Sequence, residues 1–587
     1  MKNKLLTVLL SLGVAFHFLS CNQSKGQHIL AGTTVILKGK VRTMDDGDSA
    51  ITKECVVIQG DTIAYVGNFE KAKAQFQGNV IIKDYKDSLI MPGFIDAHAH
   101  VGLEAMVAPL ANLSGPPYGQ CTSVSDIIDI MDHYADKNHL DKTAILVGNN
   151  YDDSQLKPNQ QQPTREQLDN IYGDHPVYII HVSAHMGVGN TKFLNMMGIN
   201  DGTRADTIAG GTVVKDVKNG KPHVTGLLLE NANIAAINKA MSQTHTLPKP
   251  LEMMRKAEDT CFAYGLTTIC EGRADQATYA MVLAACESGK LKGDYIVCPD
   301  YDDFHNNLKQ LKTQYNHYTK HFKIGAIKLT FDGSPQGKDA YLSKPYYTPM
   351  IGEDASYAGR PIYTYDEAYH HVKDVESIGM PVHIHVNGDS AIGMALAIFK
   401  NLKDSGISIS QPTPNVMIHC QTAREDQLVL MKKLDPDVMP SFFPTHAYIW
   451  GDWYKSNVLG SPRADNISPM KHAENYGLRY TIHTDAPITP PDLITAVYAA
   501  ANRLTQSNQT LGPDQRVAVY HGLRAITSEA AYQWGEDKSK GKLKPGYKAD
   551  VVVLTADPMT IDPTKIRDAV HVAYTYKDGN LVYSRPK

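Results

Sequence analysis

Several of the chain's 24 histidines stand at the spacing that lets two imidazoles share one cation. In Phe94-Ile95-Asp96-Ala97-His98-Ala99-His100, His98 and His100 are two residues apart, and in an extended strand such residues face the same way. Two imidazoles so placed can each bind Zn²⁺ at about 2.0–2.1 Å. Val382-His383-Ile384-His385-Val386 repeats the pattern, and Met417-Ile418-His419-Cys420 ends another apolar run in histidine. Tyr480-Thr481-Ile482-His483-Thr484-Asp485 ends the last run in an acid. Each histidine alone reads as a satisfied core residue. Gathered at the ends of successive apolar runs, they would leave many buried polar groups without partners, and a metal accounts for them jointly. Lys328, within Gly325-Ala326-Ile327-Lys328-Leu329-Thr330, has two readings. It is a snorkelling or salt-bridged cation, or a lysine carbamylated by CO₂ whose new carboxylate bridges two metals. By itself it reads as the former.

These side chains need a frame. A chain of 587 residues exceeds one compact core and implies two or three domains. Lys+Arg 58 against Asp+Glu 62 leaves a net charge of −4, with no basic excess for nucleic acid. The middle of the chain alternates strand-like and helical runs, as a parallel α/β fold does. Eight strands are expected, at Gly93–His100, Leu266–Gly272, Tyr295–Asp300, Ala326–Phe331, Val382–Val386, Val416–Cys420, Val438–Phe442 and Tyr480–Thr484. They imply a distorted (β/α)₈ TIM barrel over 91–540, with its site at the carboxyl ends of the strands. The first gap is too long for one βα unit, so an insertion at about 120–250 must carry its own strands. These are read at Ala144–Val147, Val177–Val182 and Thr212–Asp216, the last paired with His223–Leu228. Short β runs at both termini imply a small β-sandwich built from 29–90 together with 541–587.

Lys2 and Lys4 precede an apolar run, Leu5–Leu19, shorter than the ~20 residues that span a bilayer. It reads as a signal peptide covering 1–21, followed by a linker at 22–28. Phe18-Leu19-Ser20-Cys21 resembles the lipobox of bacterial lipoproteins, in which the cysteine is acylated. The expectation is an exported lipoprotein of the periplasm or cell envelope, touching membrane only through a lipid anchor on Cys21. The alternative is an ordinary secretory signal with a chance cysteine. The other cysteines form no CxxC pair and read as small buried residues.

Met91-Pro92-Gly93-Phe94-Ile95-Asp96-Ala97-His98-Ala99-His100 resembles the signature strand of the amidohydrolase superfamily. More narrowly, the chain resembles the amidohydrolase-3 branch of YtcJ-like and N-substituted formamide deformylase-like enzymes. The motifs occur in order: Asn149-Asn150-Tyr151-Asp152, His185 through Asn190, Gly226-Leu227-Leu228-Leu229-Glu230, Lys328 through Ser334, His385-Val386-Asn387-Gly388-Asp389, and Gly541 through Asp550. The resemblance implies that His98, His100, Lys328 (carbamylated), His385, His419 and Asp485 hold one or two divalent ions, with Zn²⁺ the expected metal. His98, His100 and Asp485 would take one ion, His385 and His419 the other, and Lys328 would bridge them. It further implies hydrolysis of an amide-like C–N bond of a small molecule by metal-activated hydroxide, with Asp485 as general base and then general acid. Tyr151, Asp152, His185, Glu230 and His483 are the candidate substrate contacts, with Arg273 a weaker one; His383 reads as support or interior packing. His483-Thr484-Asp485 departs from the family's usual Gly-Ser-Asp. A lactone, phosphoester or deaminase-type substrate on the same fold is the alternative, as is a metal- or ligand-binding lipoprotein without turnover. A homodimer is compatible with either.

Overall fold

The computed structural model describes residues 33–45, 53–242, 249–350 and 352–586. The signal segment, Cys21 and the 22–28 linker lie outside them. Two parallel sheets form the middle of the fold. The first runs in the order Phe322–Ile324, Asp294–Pro299, Leu266–Ala274, Phe94–Ile95. The second runs Ile327–Thr330, Val382–Val386, Asn415–His419, Val438–Phe442, Thr481–Ile482. Every residue of Val382–Val386, Asn415–His419 and Val438–Phe442 is buried, as expected of parallel strands covered on both faces. The covering helices declare themselves locally. Thr364 and Glu367 close a capping box on Tyr365–Ser377, and Asp389–Asp404 turns Ala391, Ile392, Ala395, Leu396 and Phe399 inward.

All eight expected strands are present, with three corrections. The fourth is regular only over Ile327–Thr330, and a strand not expected from the sequence, Phe322–Ile324, precedes it and belongs to the other sheet. The first is regular only over Phe94–Ile95 and the last only over Thr481–Ile482. The two arcs meet twice. Asp300 pairs with Lys328 in an isolated parallel bridge. At the other seam Asp485 N–H donates to the His98 carbonyl at 3.1 Å and His100 N–H to that of Ala486 at 2.7 Å.

Between the first two strands of the middle lies a six-stranded sheet ordered Gly211–Lys218, Lys221–Glu230, Met186–Gly189, Val177–His181, Leu146–Tyr151, Ala111–Asn112. Its Gly211–Lys218 and Lys221–Glu230 strands pair antiparallel as expected. The termini share a seven-stranded sheet in which Val551–Leu554 runs antiparallel to the end of Val80–Pro92. The expected meeting of both ends is there, but as one continuous hydrogen-bonded sheet. Alternate residues feed its two faces: Val35, Leu37, Val56, Ile58 and Val551 on one, Ile36, Cys55 and Val57 on the other. All cysteines of the described residues are buried and free.

A buried ionic knot ties this sheet to the first arc. Lys577 Nζ lies 3.0 Å from Asp294, 3.2 Å from Asp550 and 2.8 Å from Asp578. Lys540 Nζ reaches the same Asp294 at 2.7 Å and Glu536 at 3.1 Å. With Lys577 only 1% exposed along its side chain, removing it strands carboxylates that water cannot reach. Lys577→Met should therefore cost about 3–5 kcal/mol, read as a lower denaturant midpoint; an unchanged midpoint would show that the knot does not hold the two sheets together.

Candidate metal centre

Donor atoms of His98, His419 and Asp485, all buried, lie within 4.8 Å of one another. Asp485 Oδ1 stands 3.2 Å from His100 Nε2 and 3.4 Å from His98 Nε2. Lys328 Nζ is 3.3 Å from His98 Nε2. The ring of His385 is centred 4.5 Å from that of His419. His98, His100, Lys328, His385, His419 and Asp485 are thus gathered into one cluster, and all but His98 line a single cavity of 640 Å³.

Backbone conformation does part of the aiming. In the register, Val386 rather than His385 stands opposite His419, so strand parity alone would turn His419 away from the cavity. His419 adopts φ 69° and Asp485 φ 55°, left-handed values that cost a non-glycine residue about 1–3 kcal/mol. His98 and His100 lie beyond the regular strand, and their convergence is not the pleat expected of it. His100 instead bridges Glu271, and a Cβ on Gly272 would come within 2.3 Å of the His98 ring, so only glycine lets that ring sit there.

The electrostatics favour a cation. Burial, with the neighbouring Lys328, holds His98 and His419 well below the usual imidazole range, and burial does the same to His385. These rings stay neutral and keep lone pairs to donate. Burial would raise the Asp485 carboxyl, but hydrogen bonding and charge from His100, with His483 and Lys328, leave it below its ordinary value. Asp485 Oδ1, though 3.2 Å from His100 Nε2, makes no hydrogen bond of good geometry. The neutral His98, His385 and His419 beside it fit a divalent ion; burial would lower His100 too, but hydrogen bonding and charge from Asp485 and Glu271 raise it to about 9, so it would give up a proton to join them.

Other buried groups hold this cluster in place. Thr484 Oγ1 donates to Asp96 Oδ2 at 2.5 Å, and burial pushes the Asp96 carboxyl up to about 7. Asp332, buried beside His385 at 3.4 Å, accepts from the backbone N–H of Asn387, Gly388 and Tyr341 at 2.9, 2.7 and 3.0 Å. Glu271 lies 3.5 Å from His100 Nδ1 and accepts from the Gly102 N–H at 2.7 Å.

A family profile described as Amidohydrolase family matches residues 82–583. The chain belongs to the amidohydrolase family. It is similar to the N-substituted formamide deformylase of Arthrobacter pascens, with 23% identity over 94% of this chain and 98% of that one. It is also similar to YtcJ of Bacillus subtilis (strain 168), at 25% identity over 93% and 98%. The crystal structure of an uncharacterized metal-dependent hydrolase from Pyrococcus horikoshii OT3 superposes with TM-score 0.68, covering 90% of this chain and 99% of that one at 24% identity. That likeness is one of fold.

For this amidohydrolase, the expected substrate contacts divide. His185 and Glu230 line the cavity, hydrogen-bonded through His185 Nδ1 and Glu230 Oε1 at 2.8 Å. The other three do not line it. Tyr151 is buried in the core of the six-stranded sheet and donates to Gln162 at 2.6 Å. Asp152 accepts from Trp450 Nε1 at 2.7 Å and from Gln155 at 3.0 Å, which satisfies it as a tie between that sheet and the Trp450 segment. His483 sits behind His419, with Nε2 3.1 Å from His419 Nδ1 and Nδ1 2.8 Å from Ser441 Oγ, so it orients His419. His383 packs on Trp534, with ring centres 4.8 Å apart. Arg273 lines the cavity and donates to Asp300. The sequence reading gave no role to Asp96, Glu271 or Asp332; acids two residues before His98 and immediately before Gly333 were the available signal.

Asp332→Ala should lower metal affinity about 10–100-fold by freeing the loop that follows His385. Competition with a chelator measures this. Affinity equal to the parent's would remove Asp332 from the support of the centre.

Proposed function

We propose that the protein hydrolyses an amide-like, non-peptide C–N bond with a divalent metal, and that its two arcs form one distorted (β/α)₈ barrel flanked by the insertion at about 120–250 and the terminal sheet as separate domains. One observation carries the reading: buried Asp485 Oδ1 lies within 3.4 Å of both His98 Nε2 and His100 Nε2, beside the Lys328 amine, at a cavity large enough for a small molecule. Mere capture of a cation has no use for a proton-carrying acid beside a buried lysine. The likeness over nearly full length to a formamide deformylase supports a C–N substrate.

In this reading His98, His100 and Asp485 would hold one ion and His385 and His419 a second, with Lys328, once carbamylated, completing the donor set; the imidazole-rich donors suit Zn²⁺. When bound, the metal polarises the scissile carbonyl and brings the pKa of water toward about 7. The remaining steps belong to the chain. Asp485, kept ionised by His100, takes the proton of the attacking water at Oδ1 and returns it to the leaving nitrogen. Burial pulls Lys328 down to about 8, which exposes a neutral amine lone pair to CO₂; the N–C bond forms and the amine proton leaves to solvent. His483 fixes the His419 ring, and His185, steadied by Glu230, borders the substrate. Residues 1–21 are proposed as a lipoprotein signal with Cys21 as its lipidated residue, which would tether the enzyme to the cell envelope.

Asp485→Asn should reduce turnover about 10²–10⁴-fold even when assayed at saturating Zn²⁺, which makes up for the lost ligand, while the thermal midpoint of the metal-loaded protein stays near the parental value. The assay is a panel of N-formyl amines, N-acyl amino acids and cyclic amides with added Zn²⁺ and bicarbonate, run beside lactone, phosphoester and aminopurine substrates. Retained turnover in the variant removes Asp485 from the chemistry, and cleavage confined to the second group moves the enzyme to another bond. Incorporation of ¹³C-bicarbonate should give a carbamate signal that Lys328→Ala lacks; its absence from the parent would leave a mononuclear site.

A further inference from the structure

The 640 Å³ cavity is graded along its length. Near the metal cluster it presents the Thr330 hydroxyl, which is only 5% exposed, has no hydrogen-bond partner and stands in register with His385. A buried, unpaired hydroxyl beside such a centre calls for a polar ligand atom. Leu103, Met106, Ile234 and Ile237 make an apolar wall. The mouth carries Asp275, Asp302 and Asp303, placed just past the carboxyl ends of Leu266–Ala274 and Asp294–Pro299.

The deeper acids are compensated: Glu230 by His185, Glu271 by His100, and Asp300 by Arg273. Among the described residues, none of Asp275, Asp302 and Asp303 has a lysine, arginine or histidine ion-pair partner. Asp275 accepts the Thr278 N–H at 2.7 Å as a helix cap, and Asp302 accepts the Tyr363 hydroxyl at 2.8 Å; both contacts leave the negative charge standing. Burial, then the charges of Asp300, Asp275 and Asp302, push the Asp303 carboxyl up against the smaller opposing pull of Arg273, so the negative charges there outweigh the positive one. Arg273 offers an anion little, because Asp300 already neutralises it.

We propose that the cavity selects amides whose far end is a cation, such as N-acylated diamines, with the ammonium at Asp275, Asp302 and Asp303, an aliphatic spacer on the apolar wall and the scissile amide at the Thr330 hydroxyl. The assignment rests on the hydrolase reading above and narrows its substrate class. A carboxylate-ended amide of equal length meets three uncompensated acids at the entrance and is disfavoured.

The test compares N-formyl-1,5-diaminopentane, N-formylhexylamine and N-formyl-6-aminohexanoate on the metal-loaded enzyme. At low salt kcat/KM should fall in that order, with the cation ahead of the anion by roughly tenfold or more. The gap should narrow at 1 M salt, where the screening length is about 3 Å, and in D302N/D303N, through KM rather than kcat. If the double variant fails to fold, D303N alone should narrow the gap in the same direction. An anion cleaved as well as the cation, or a gap that survives both salt and substitution, overturns the proposal. Calorimetric binding of the same three compounds to D485N separates the two readings. The same order of affinity without cleavage by the parent would sink the hydrolase and keep the cavity preference, whereas cleavage with no order would do the reverse.

Discussion

Segments at opposite ends of the parallel middle meet main chain to main chain, just past their strands, where Asp96–His100 faces Thr484–Ala486, and the cluster exists because they do. The join is made by main-chain groups, Asp485 N–H to the His98 carbonyl and His100 N–H to that of Ala486. It is reinforced by the Thr484 hydroxyl on Asp96, 388 residues away in the chain. Peptide hydrogen bonds leave little slack, and ligation at about 2 Å tolerates little. A side-chain contact alone between two loops would leave Asp485 and His98 free to drift, so the seam both joins the two sheets and sets the spacing of the cluster.

That template has an energetic cost, and the fold divides its interior accordingly. Imidazoles, a lysine and carboxylates are held away from water on one side. Just beyond them Ile95, Ala97, Cys270, Ile296, Cys298, Ala326 and Trp534 form a dry plug, on which His383 rests through Trp534. The plug keeps solvent from the far end of the cluster, which strengthens every electrostatic interaction there and makes each unpaired polar atom more expensive. Left-handed His419 and Asp485 add strain. The Thr330 hydroxyl and His385 Nδ1, both buried there without a hydrogen-bond partner, add to that cost.

Strands buried on both faces were legible: Val382–Val386 and Val438–Phe442 match the sequence reading residue for residue, because continuous apolar runs bounded by turns have little else to become. The composite terminal sheet was legible through its alternating pattern. Val80–Pro92 was not, because its Lys83-Asp84-Tyr85-Lys86-Asp87 stretch reads as loop, although the Leu89–Pro92 half is buried against Val551–Leu554. The cluster's residue types were legible, but not how they point. Parity assigned His98 and His100 to a strand that ends at Ile95, and no period predicts the positive φ that turns His419 inward. Tyr151, Asp152 and His483 lie outside the lining of the cluster's cavity for a shared reason: a polar residue in a motif can be taken up by partners inside the fold, here Gln162, Trp450 and Ser441, which sequence spacing does not reveal.

The division of labour that follows is physical. Strand ends supply the donor groups of the candidate metal centre, whose spacing cannot vary without breaking the seam. The six-stranded sheet contributes His185 and Glu230, which are linked twice: by the side-chain pair, and by the Glu230 N–H donating to the His185 carbonyl at 2.8 Å. That sheet is held to the middle by Asp152 on Trp450, so the dyad borders the cavity as firmly as the strands do. The loops after Ala274 and Pro299 are bound by neither constraint, and their exposed aspartates can change without disturbing the donors. The groups the seam immobilises are thus separated in the fold from the cavity aspartates it leaves free.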